Sequence, residues 1–193
     1  MSLQKTTKRG DEYYTPKYIV EILLPFIKDK GFKNIWCPCD KEWSEYVKVF
    51  IDEGLNVIHT HIEDGYDFID YEPKDEYDII ITNPPFSIKN EIFERCINLN
   101  KPFCLLMSAT SIQSASFIKT IAKAPDFNVM MFDKRISYNG DRPPFPSWYY
   151  SSGLFDKTEF YIYKENPKDL FKRWEEKKEE KENKKLPLFN ELN

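Results

Sequence analysis

The stretch Tyr77–Phe86, YDIIITNPPF, decides how the rest of this chain is organised. Residues Ile79–Thr82 are all apolar or β-branched, which is typical of a strand buried on both faces of a parallel sheet. The two prolines that follow cannot donate to a sheet ladder, so the strand must end there in a rigid, extended corner. We therefore expect Asn83 and Phe86 to lie at the carboxyl end of a central strand, where open α/β sheets bind ligands.

This corner carries groups that suit the recognition of a planar base with an amino group. The side-chain oxygen of Asn83 and the backbone carbonyl of Pro84 are acceptors, and the ring of Phe86 offers a face for stacking. The amine of adenine is a poor nucleophile because its lone pair is delocalised into the ring. Two acceptors on its hydrogens would favour the pyramidal form that attacks a methyl donor, which stabilises mainly the transition state. The alternative is a strand that simply ends in a proline-rich turn.

Asn83–Phe86 resembles the catalytic motif of a known family. Asn-Pro-Pro-Phe at a strand end is typical of small phage-type DNA N-6-adenine methyltransferases, which use S-adenosylmethionine. The resemblance spans roughly residues 11–164 and implies a class I, Rossmann-like α/β fold. In that fold a mostly parallel seven-stranded sheet has an antiparallel last strand and helices on both faces. The resemblance also implies that Asn83, Pro84, Pro85 and Phe86 form the catalytic corner, and that the target adenine is extruded from the duplex.

Two further segments resemble cofactor-binding parts of this family. Tyr14, Thr15 and Pro16 resemble a Tyr-Thr-Pro entry to a helix that closes over the methionine end of the cofactor. Thr15 also suits a helix N-cap and Pro16 a first helical position, so a well-capped surface helix is the alternative. The Asp67-Phe68 pair resembles a turn whose carboxylate accepts from the cofactor's adenine amine and whose ring packs on that base. The alternative for Asp67 is a solvent-facing turn.

The chain departs from the family at two other cofactor segments. The turn after the first predicted strand, CPCDKEWS at residues 37–44, contains no glycine, although the family uses glycine there to let the cofactor approach the backbone. Either side chains such as Asp40 and Ser44 hold the cofactor or its binding is weak; Asp40 could equally be a helix N-cap. The second strand ends near Thr60 and not in a ribose-binding carboxylate. Cys37, Pro38, Asp40 and Thr60 are therefore the candidate contacts in these segments.

Apolar periodicity predicts alternating strands and helices, which favours a parallel sheet with right-handed crossovers. The predicted strands are 34–38, 56–60, 77–82, 102–107, 129–132 and 158–163, the last of them in the antiparallel closing hairpin. The predicted helices are 16–30, 43–50, 88–99 and 114–124.

Residues 133–157 combine basic residues with aromatic ones, a composition that suits phosphate contacts and stacking on exposed bases. The alternative is a proline-stiffened hairpin whose rings cover the sheet edge. Because no separate target-recognition domain is evident, we expect loose or very short sequence specificity, or a partner that supplies it. The candidate substrate-binding residues in this segment are Lys134, Arg135, Tyr138, Arg142 and Trp148.

The two ends of the chain are polar. Residues 1–12 are expected to form a flexible arm, residues 13–164 the methyltransferase-like domain, and residues 165–193 a charged helical or disordered tail. The tail ends in a peptide with Leu186, Leu188 and Phe189, which resembles the segment that docks replication-associated bacterial proteins to the sliding clamp. The usual leading glutamine is a lysine in this chain.

Composition sets the remaining bounds. A chain of 193 residues with 41% hydrophobic residues suits one globular domain, and a net charge of −4 argues against a surface coated with nucleic-acid-binding groups. No run of residues has the length of a membrane span, and Cys37 and Cys39 are the only closely spaced cysteines, so a cytoplasmic protein with reduced thiols and no metal is expected.

Three functions remain open from the sequence. The first is methylation of adenine in DNA with S-adenosylmethionine. The second is a catalytically inactive, methyltransferase-like protein that binds nucleic acid or the clamp, favoured by the absent glycines and ribose carboxylate. The third is methylation of adenine in RNA, because an extruded base looks alike in both nucleic acids.

Overall fold

The structure is a computed structural model that describes residues 14–138 and 145–185. The strands are β1 (Asn34–Cys37), β2 (Asn56–His59), β3 (Ile79–Thr82), β4 (Phe103–Ser108), β5 (Phe127–Phe132), β6 (Ser147–Ser152) and β7 (Glu159–Tyr161). The helices are α1 (Lys17–Glu21), α2 (Leu24–Asp29), α3 (Glu45–Asp52), α4 (Lys89–Leu99), α5 (Ala115–Ile121) and α6 (Pro167–Lys185). The predicted N-terminal arm (residues 1–12), Arg142 and the peptide with Leu186, Leu188 and Phe189 lie outside the described residues.

The strands form one sheet in the order β2-β1-β3-β4-β6-β5-β7. β6 runs antiparallel to both of its neighbours, and the other neighbouring pairs are parallel. The chain leaves β1 toward β2 on one side and returns to β3 on the other side. β1 and β3 therefore flank the topological switch point, where side-chain and backbone groups at the carboxyl ends of the strands can meet a ligand.

Alternate residues of the strands feed two separate cores, as the two-residue period of a strand requires. On one face Ile35, Ile79 and Ile81 pack beneath α1, α2 and α3. On the other face Trp36 and Ile80 pack beneath α4 and α5. Both faces of the sheet are thus covered by helices, and the predicted α/β class with a seven-stranded, mostly parallel sheet is confirmed.

The antiparallel strand lies earlier in the chain than the sequence suggested. Residues Ser147–Ser152 form β6, which is inserted between β4 and β5 inside the sheet. The strand expected at residues 158–163 is present as Glu159–Tyr161, but it pairs parallel to β5 at the sheet edge. The aromatic residues 148–150 of the segment 133–157 therefore do not cover the sheet edge, because they belong to an interior strand that pairs with β5.

The helix predicted from residue 16 is divided. α1 and α2 are separated at Ile22 and Leu23, and α2 has a proline near its start, where the missing N–H is tolerated. Pro16 stands at the N-cap position of α1 with no side-chain cap, so Thr15 is not the expected cap. The threonine hydroxyl makes a different contact, which is described below.

The charged tail begins as an ordered helix. Phe171 of α6 is buried and its ring lies 5.2 Å from that of Trp174, while the following turns are exposed. Of the helices in the described ranges, none combines the length and the apolar character needed to cross a bilayer.

Candidate active site

The corner after β3 has the shape that its sequence predicts. Ile79–Thr82 are fully buried, and the side chain of Asp78 fastens the start of the strand by accepting from the backbone N–H groups of Lys33 and Asn34 at 2.7 and 2.8 Å. Pro84 is buried and Asn83 half-buried. A short 3-10 turn, Phe86–Ile88, then leads into α4.

The amide of Asn83 is oriented by the segment before α1. Its Nδ2 donates to Oγ1 of Thr15 at 3.2 Å, a contact between residues 68 positions apart in the chain. Thr15 is buried, so this hydrogen bond is protected from solvent. With Nδ2 turned to Thr15, Oδ1 is the acceptor end of the amide, and this oxygen is buried in the structure.

The glycine-free turn after β1 is built around the carboxylate of Asp40. One of its oxygens accepts from the hydroxyl of Ser44 at 2.5 Å, and the other accepts from the hydroxyl of Thr82 at 2.7 Å. Asp40 is not a helix cap: Ser44 caps α3, since its hydroxyl accepts from the N–H of Tyr46. Asp40 thus joins the turn to the last residue of β3, immediately before Asn83.

Burial raises the pKa of Asp40 from its ordinary value of 3.8 to about 6, and the hydrogen bonds from Ser44 and Thr82 oppose that rise. None of the ion pairs within residues 14–138 and 145–185 includes this carboxylate. A carboxylate buried without a cation is costly to ionise, so a cationic ligand at this position would favour its charged form.

Thr60, Cys37 and Pro38 support the turn from within the fold. The hydroxyl of Thr60 accepts from Nε1 of Trp36 at 3.0 Å, and its N–H donates to the carbonyl of Cys37 at 3.1 Å. Thr60, Cys37 and Pro38 are all buried. In this structure these three residues are packed within β1, β2 and the turn. The predicted cofactor contacts at these positions would therefore have to come from backbone atoms.

The side chains of the Asp67-Phe68 turn make other contacts in this structure than the resemblance implies. The ring of Phe68 is only 3% exposed and meets the edge of the Trp36 ring at 5.1 Å, so it is a core residue in this structure and presents no face to a bound base. Asp67 is half-buried, and its carboxylate accepts from the N–H of Ile69 at 3.0 Å within the turn.

Arg95 of α4 holds this turn from outside, which the sequence did not indicate. Its guanidinium donates to the carbonyl oxygens of Phe68 and Tyr71, each at 3.3 Å. Burial raises the pKa of the Cys39 thiol, and the Asp40 carboxylate raises it further. A hydrogen bond with Thr82 opposes this rise, and the Asp67 carboxylate adds a smaller increase.

Two exposed aromatic side chains belong to the segments that contribute Thr15 and Asp40. Tyr14 precedes Thr15, and Trp43 belongs to the same turn as Asp40. Both are exposed, and their ring centroids are 5.0 Å apart in an edge-to-face arrangement. Trp43 was not predicted as a site residue, although its position in the glycine-free turn was a usable signal.

The predicted substrate-binding residues are dispersed. Trp148 pairs in register with Met107 at the carboxyl end of β4, which places it at the same sheet edge as Asn83, and Arg135 is exposed. The ammonium of Lys134 donates to the carbonyls of Tyr163 and Glu165 near α6. Tyr138 is 2% exposed and packs in the core, so its ring offers no face to a base in this structure.

Among the described residues, no group of three or more His, Cys, Asp or Glu side chains is placed to hold a metal ion. An open groove of about 500 Å³ lies between α1, α2, α6 and the β7 edge of the sheet, and none of its lining residues belongs to the corner.

Comparisons with known proteins agree with the fold. No protein-family model matches the chain, and no curated protein matches it. A solved structure assigned as a modification subunit of a type I restriction enzyme from Vibrio vulnificus is similar, with a TM-score of 0.52 and 10% identity over 93% of this chain and 54% of that one. A protein from Listeria monocytogenes, assigned as a class I S-adenosylmethionine-dependent methyltransferase, has a TM-score of 0.50 and 12% identity over 77% of this chain and 64% of that one.

This chain therefore spans between about half and two thirds of the length of those two proteins. At such low identity the likeness establishes a shared fold, the Rossmann-like fold of class I methyltransferases.

Proposed function

We propose that this protein transfers a methyl group from S-adenosylmethionine to the exocyclic amine of adenine in DNA. The observation that carries the proposal is the corner at the switch point of the sheet. There Asn83 is oriented by Thr15, and the strand end that bears it is held by Asp40. The two similar structures, one of a modification subunit and one of a class I methyltransferase, support the same reaction class.

The residues at the carboxyl end of β1 fit a cationic ligand of this kind. Asp40 is a buried carboxylate outside the ion pairs described above, and its pKa is raised because burial disfavours its charged form. Tyr14 and Trp43 add exposed rings, which attract a cation to their faces. When bound, S-adenosylmethionine would supply an electrophilic methyl group on a positively charged sulfur. Asp40, Tyr14, Trp43 and the Asp67 turn are the groups we assign to hold it.

The corner residues act on the target base. Oδ1 of Asn83 and the carbonyl of Pro84 would accept from the two hydrogens of the amine and draw its nitrogen toward the pyramidal geometry needed for attack. Pro85 keeps the corner rigid, so these acceptors need little rearrangement during the reaction. The motif assigns Phe86 to stack on the extruded base. No general base with a shifted pKa is needed, because the methylated ammonium is acidic enough to lose its proton to solvent.

The DNA would approach the same edge of the sheet. We assign Trp148 to stacking near the corner and Arg135 to a phosphate, because one lies at the carboxyl edge and the other is exposed. A base must leave the stack to reach the corner, which favours mismatched or single-stranded sites. Sequence specificity should be loose or very short.

The test has two arms. Calorimetric titration should show S-adenosylmethionine binding, and labelled methyl should then pass to duplex or single-stranded DNA. Asn83→Ala should lower transfer at least about 100-fold and change cofactor affinity by less than about threefold, since its role lies in the transition state. Asn56→Ala, at the opposite edge of the sheet, is the matched control and should leave both unchanged.

Three results would count against the proposal. Absence of binding at millimolar cofactor would favour the inactive, nucleic-acid-binding alternative. Transfer to RNA and not to DNA would change the substrate class. An equal loss of transfer and of cofactor affinity in Asn83→Ala would contradict the role assigned to this residue.

A further inference from the structure

Two tyrosine hydroxyls are buried between α1, α3 and β6. Tyr46 lies in the first turn of α3 and Tyr149 in β6, and both side chains belong to the core on that face of the sheet. Their hydroxyl oxygens are 3.0 Å apart, and that of Tyr149 also lies 3.2 Å from the backbone carbonyl oxygen of Ile19 in α1. A buried hydroxyl without a partner is costly, and these three groups satisfy one another.

The direction of these hydrogen bonds follows from the number of protons. Burial raises the pKa of both tyrosines well above its ordinary value, so each hydroxyl keeps its proton. A tyrosine hydroxyl has one proton to donate. Tyr149 donates its proton to the carbonyl of Ile19, so the proton between the two tyrosine oxygens comes from Tyr46. The result is a chain of hydrogen bonds from Tyr46 through Tyr149 to Ile19.

The carbonyl of Ile19 can accept from Tyr149 because the helix is interrupted after α1. In a continuous helix the N–H of Leu23 would donate to Ile19, but here it donates to Val20 at 3.0 Å. Pro25 has no N–H and cannot continue the helical hydrogen bonds across the interruption. The hydroxyl of Tyr149 thus takes the place of the missing backbone donor and attaches α1 to an interior strand of the sheet.

Both ends of this chain of hydrogen bonds are connected to the candidate active site. Ile19 comes about one helical turn after Thr15, whose hydroxyl accepts from the amide of the corner at 3.2 Å. Tyr46 comes two residues after Ser44, whose hydroxyl donates to the carboxylate of Asp40. The two tyrosines therefore join the helix that follows the Thr15 contact to the helix whose cap holds the buried carboxylate.

We propose that Tyr149 is a positioning residue, whose hydroxyl fixes α1 against the sheet and thereby places Thr15 at hydrogen-bond distance from Asn83. Tyr46 supports it by donating to the hydroxyl oxygen of Tyr149. The consequence for the reaction rests on the proposed methyl transfer, in which an oriented Asn83 stabilises the transition state. The placement of α1 itself does not depend on the reaction.

Loss of the Tyr149 hydroxyl should move α1 without unfolding it. α1 has a second attachment, since the N–H of Ser137 donates to the hydroxyl of Tyr18 at 3.3 Å. Ile19 and Val20 of α1 are also fully buried. Phenylalanine in place of Tyr149 removes one oxygen atom and keeps the ring, so we expect the core to stay packed.

Nuclear magnetic resonance of the side-chain amide of Asn83 tests the inference in the free protein, without cofactor or DNA. Thr15→Val removes the acceptor of this amide and gives the reference displacement of its two proton signals. Tyr149→Phe removes the donor to Ile19 and should displace the same signals in the same direction. Tyr46→Phe should displace them less, because Tyr149 still donates to Ile19 in that variant.

Tyr163→Phe is the matched control. Tyr163 is 4% exposed and packs in the same core, and its hydroxyl oxygen is buried with no hydrogen-bond partner among the described residues. Removing this hydroxyl should leave the Asn83 signals in place. Urea unfolding of every variant shows which of them are folded under the conditions of the measurement.

A double-mutant cycle on kcat tests the consequence for the reaction. Tyr149→Phe alone should lower kcat about fivefold or more, the change that corresponds to one lost hydrogen bond. In the Thr15→Val background the same substitution should change kcat by less than about twofold, because its effect passes through Thr15. Tyr163→Phe should leave kcat unchanged in both backgrounds.

Asn83 signals that stay in place in Tyr149→Phe, or that move equally in Tyr163→Phe, would overturn the inference. Effects of Thr15→Val and Tyr149→Phe that multiply on kcat would overturn it too, because Tyr149 would then act by another route. If Tyr149→Phe does not fold, the Asn83 signals of Tyr46→Phe decide in its place. A chain that transfers no methyl group would refute the proposed function, and the signals alone would then decide this inference.

Discussion

The turn after β1 and the corner after β3 lie side by side at the switch point, and they are built by different means. The corner takes its shape from its own sequence, because two prolines restrict the backbone at the end of a buried strand. The turn has no glycine and takes its shape from side chains. The carboxylate of Asp40 gathers hydroxyls from Ser44 and from Thr82 in the neighbouring strand.

The two halves of the site therefore differ in what determines their shape. The shape of the corner depends on its own residues, whereas the shape of the turn depends on hydrogen bonds with residues elsewhere in the fold. A proline corner forms whatever its neighbours do, whereas a buried carboxylate is tolerated only when its hydrogen-bond partners are in place. We therefore expect substitutions at the corner to affect the reaction with little effect on stability. Substitutions in the turn should affect stability, pH dependence and cofactor binding together.

Among substitutions of residues that support the corner and the turn, Thr15→Val should produce the largest effect on the reaction. The substitution keeps the shape of the side chain and removes the acceptor for Nδ2 of Asn83 at 3.2 Å, so the amide loses its preferred orientation. We expect kcat to fall about 10- to 100-fold, with a change in the free energy of unfolding of about 1 kcal/mol. Thr120→Val, which removes a hydroxyl bonded within its own helix, is the control and should leave kcat unchanged. A fall in stability with unchanged kcat would mean that Thr15 only supports the fold.

Asp40→Asn should change the stability of the protein and its affinity for the cofactor in opposite directions. The raised pKa of Asp40 means that the folded state holds its proton more tightly than the unfolded state does, so the contribution to stability is fully present below pH 3.8 and is lost as the pH rises through about 6. Asparagine cannot ionise. At pH 7.5 we expect the variant to be more stable by about 1–3 kcal/mol and to bind S-adenosylmethionine about tenfold more weakly.

Urea unfolding at pH 4 and at pH 7.5 checks the Asp40 prediction. The stability difference between variant and wild type should grow from pH 4 to pH 7.5. A constant difference would show that Asp40 does not titrate in this range.

Arg95→Lys should give the smallest effect. Lysine keeps the charge but cannot donate to the carbonyls of Phe68 and Tyr71 with one planar group, so the Asp67 turn should loosen. We expect a loss of stability of about 1 kcal/mol and a rise of about threefold in the cofactor KM at unchanged kcat. Arg173→Lys, on the exposed face of α6, is the matched control. A fall in kcat without a change in KM would place Arg95 in a different role.

Much of the fold could be predicted because its signals are local. The runs at 79–82 and 103–107 are apolar enough to be buried strands, and α4 and α5 follow the helical period closely. β6 was missed because its sequence, SWYYSS, reads as a polar and aromatic loop. Ser151 is accommodated inside the sheet by a distant partner, the carbonyl of Phe103, which accepts from the hydroxyl of Ser151.

The site shows the same division. Asn83 and the prolines were identifiable from the sequence, since strand, corner and amide are contiguous. Thr15 was predicted as a cofactor residue, with a helix cap as the alternative; it is not the cap, and its hydroxyl accepts from Asn83, a partner that the local sequence does not indicate. Phe68 was expected on a ligand and lies against Trp36 in this structure, since an aromatic residue in a turn can pack inward or outward. Arg95 had no sequence signal, because what it binds is backbone carbonyls.

The amino-acid sequence by itself determined the buried strands, the rigid corner and the chemistry that the corner carries, because each depends on neighbouring residues. Only the tertiary structure decided which side chains meet at the switch point, where the antiparallel strand enters the sheet and which edge is left open. Those features depend on contacts between residues far apart in the chain, such as Thr15 with Asn83 and Asp40 with Thr82. Local patterns carry no record of such partners, since many folds satisfy the same local preferences.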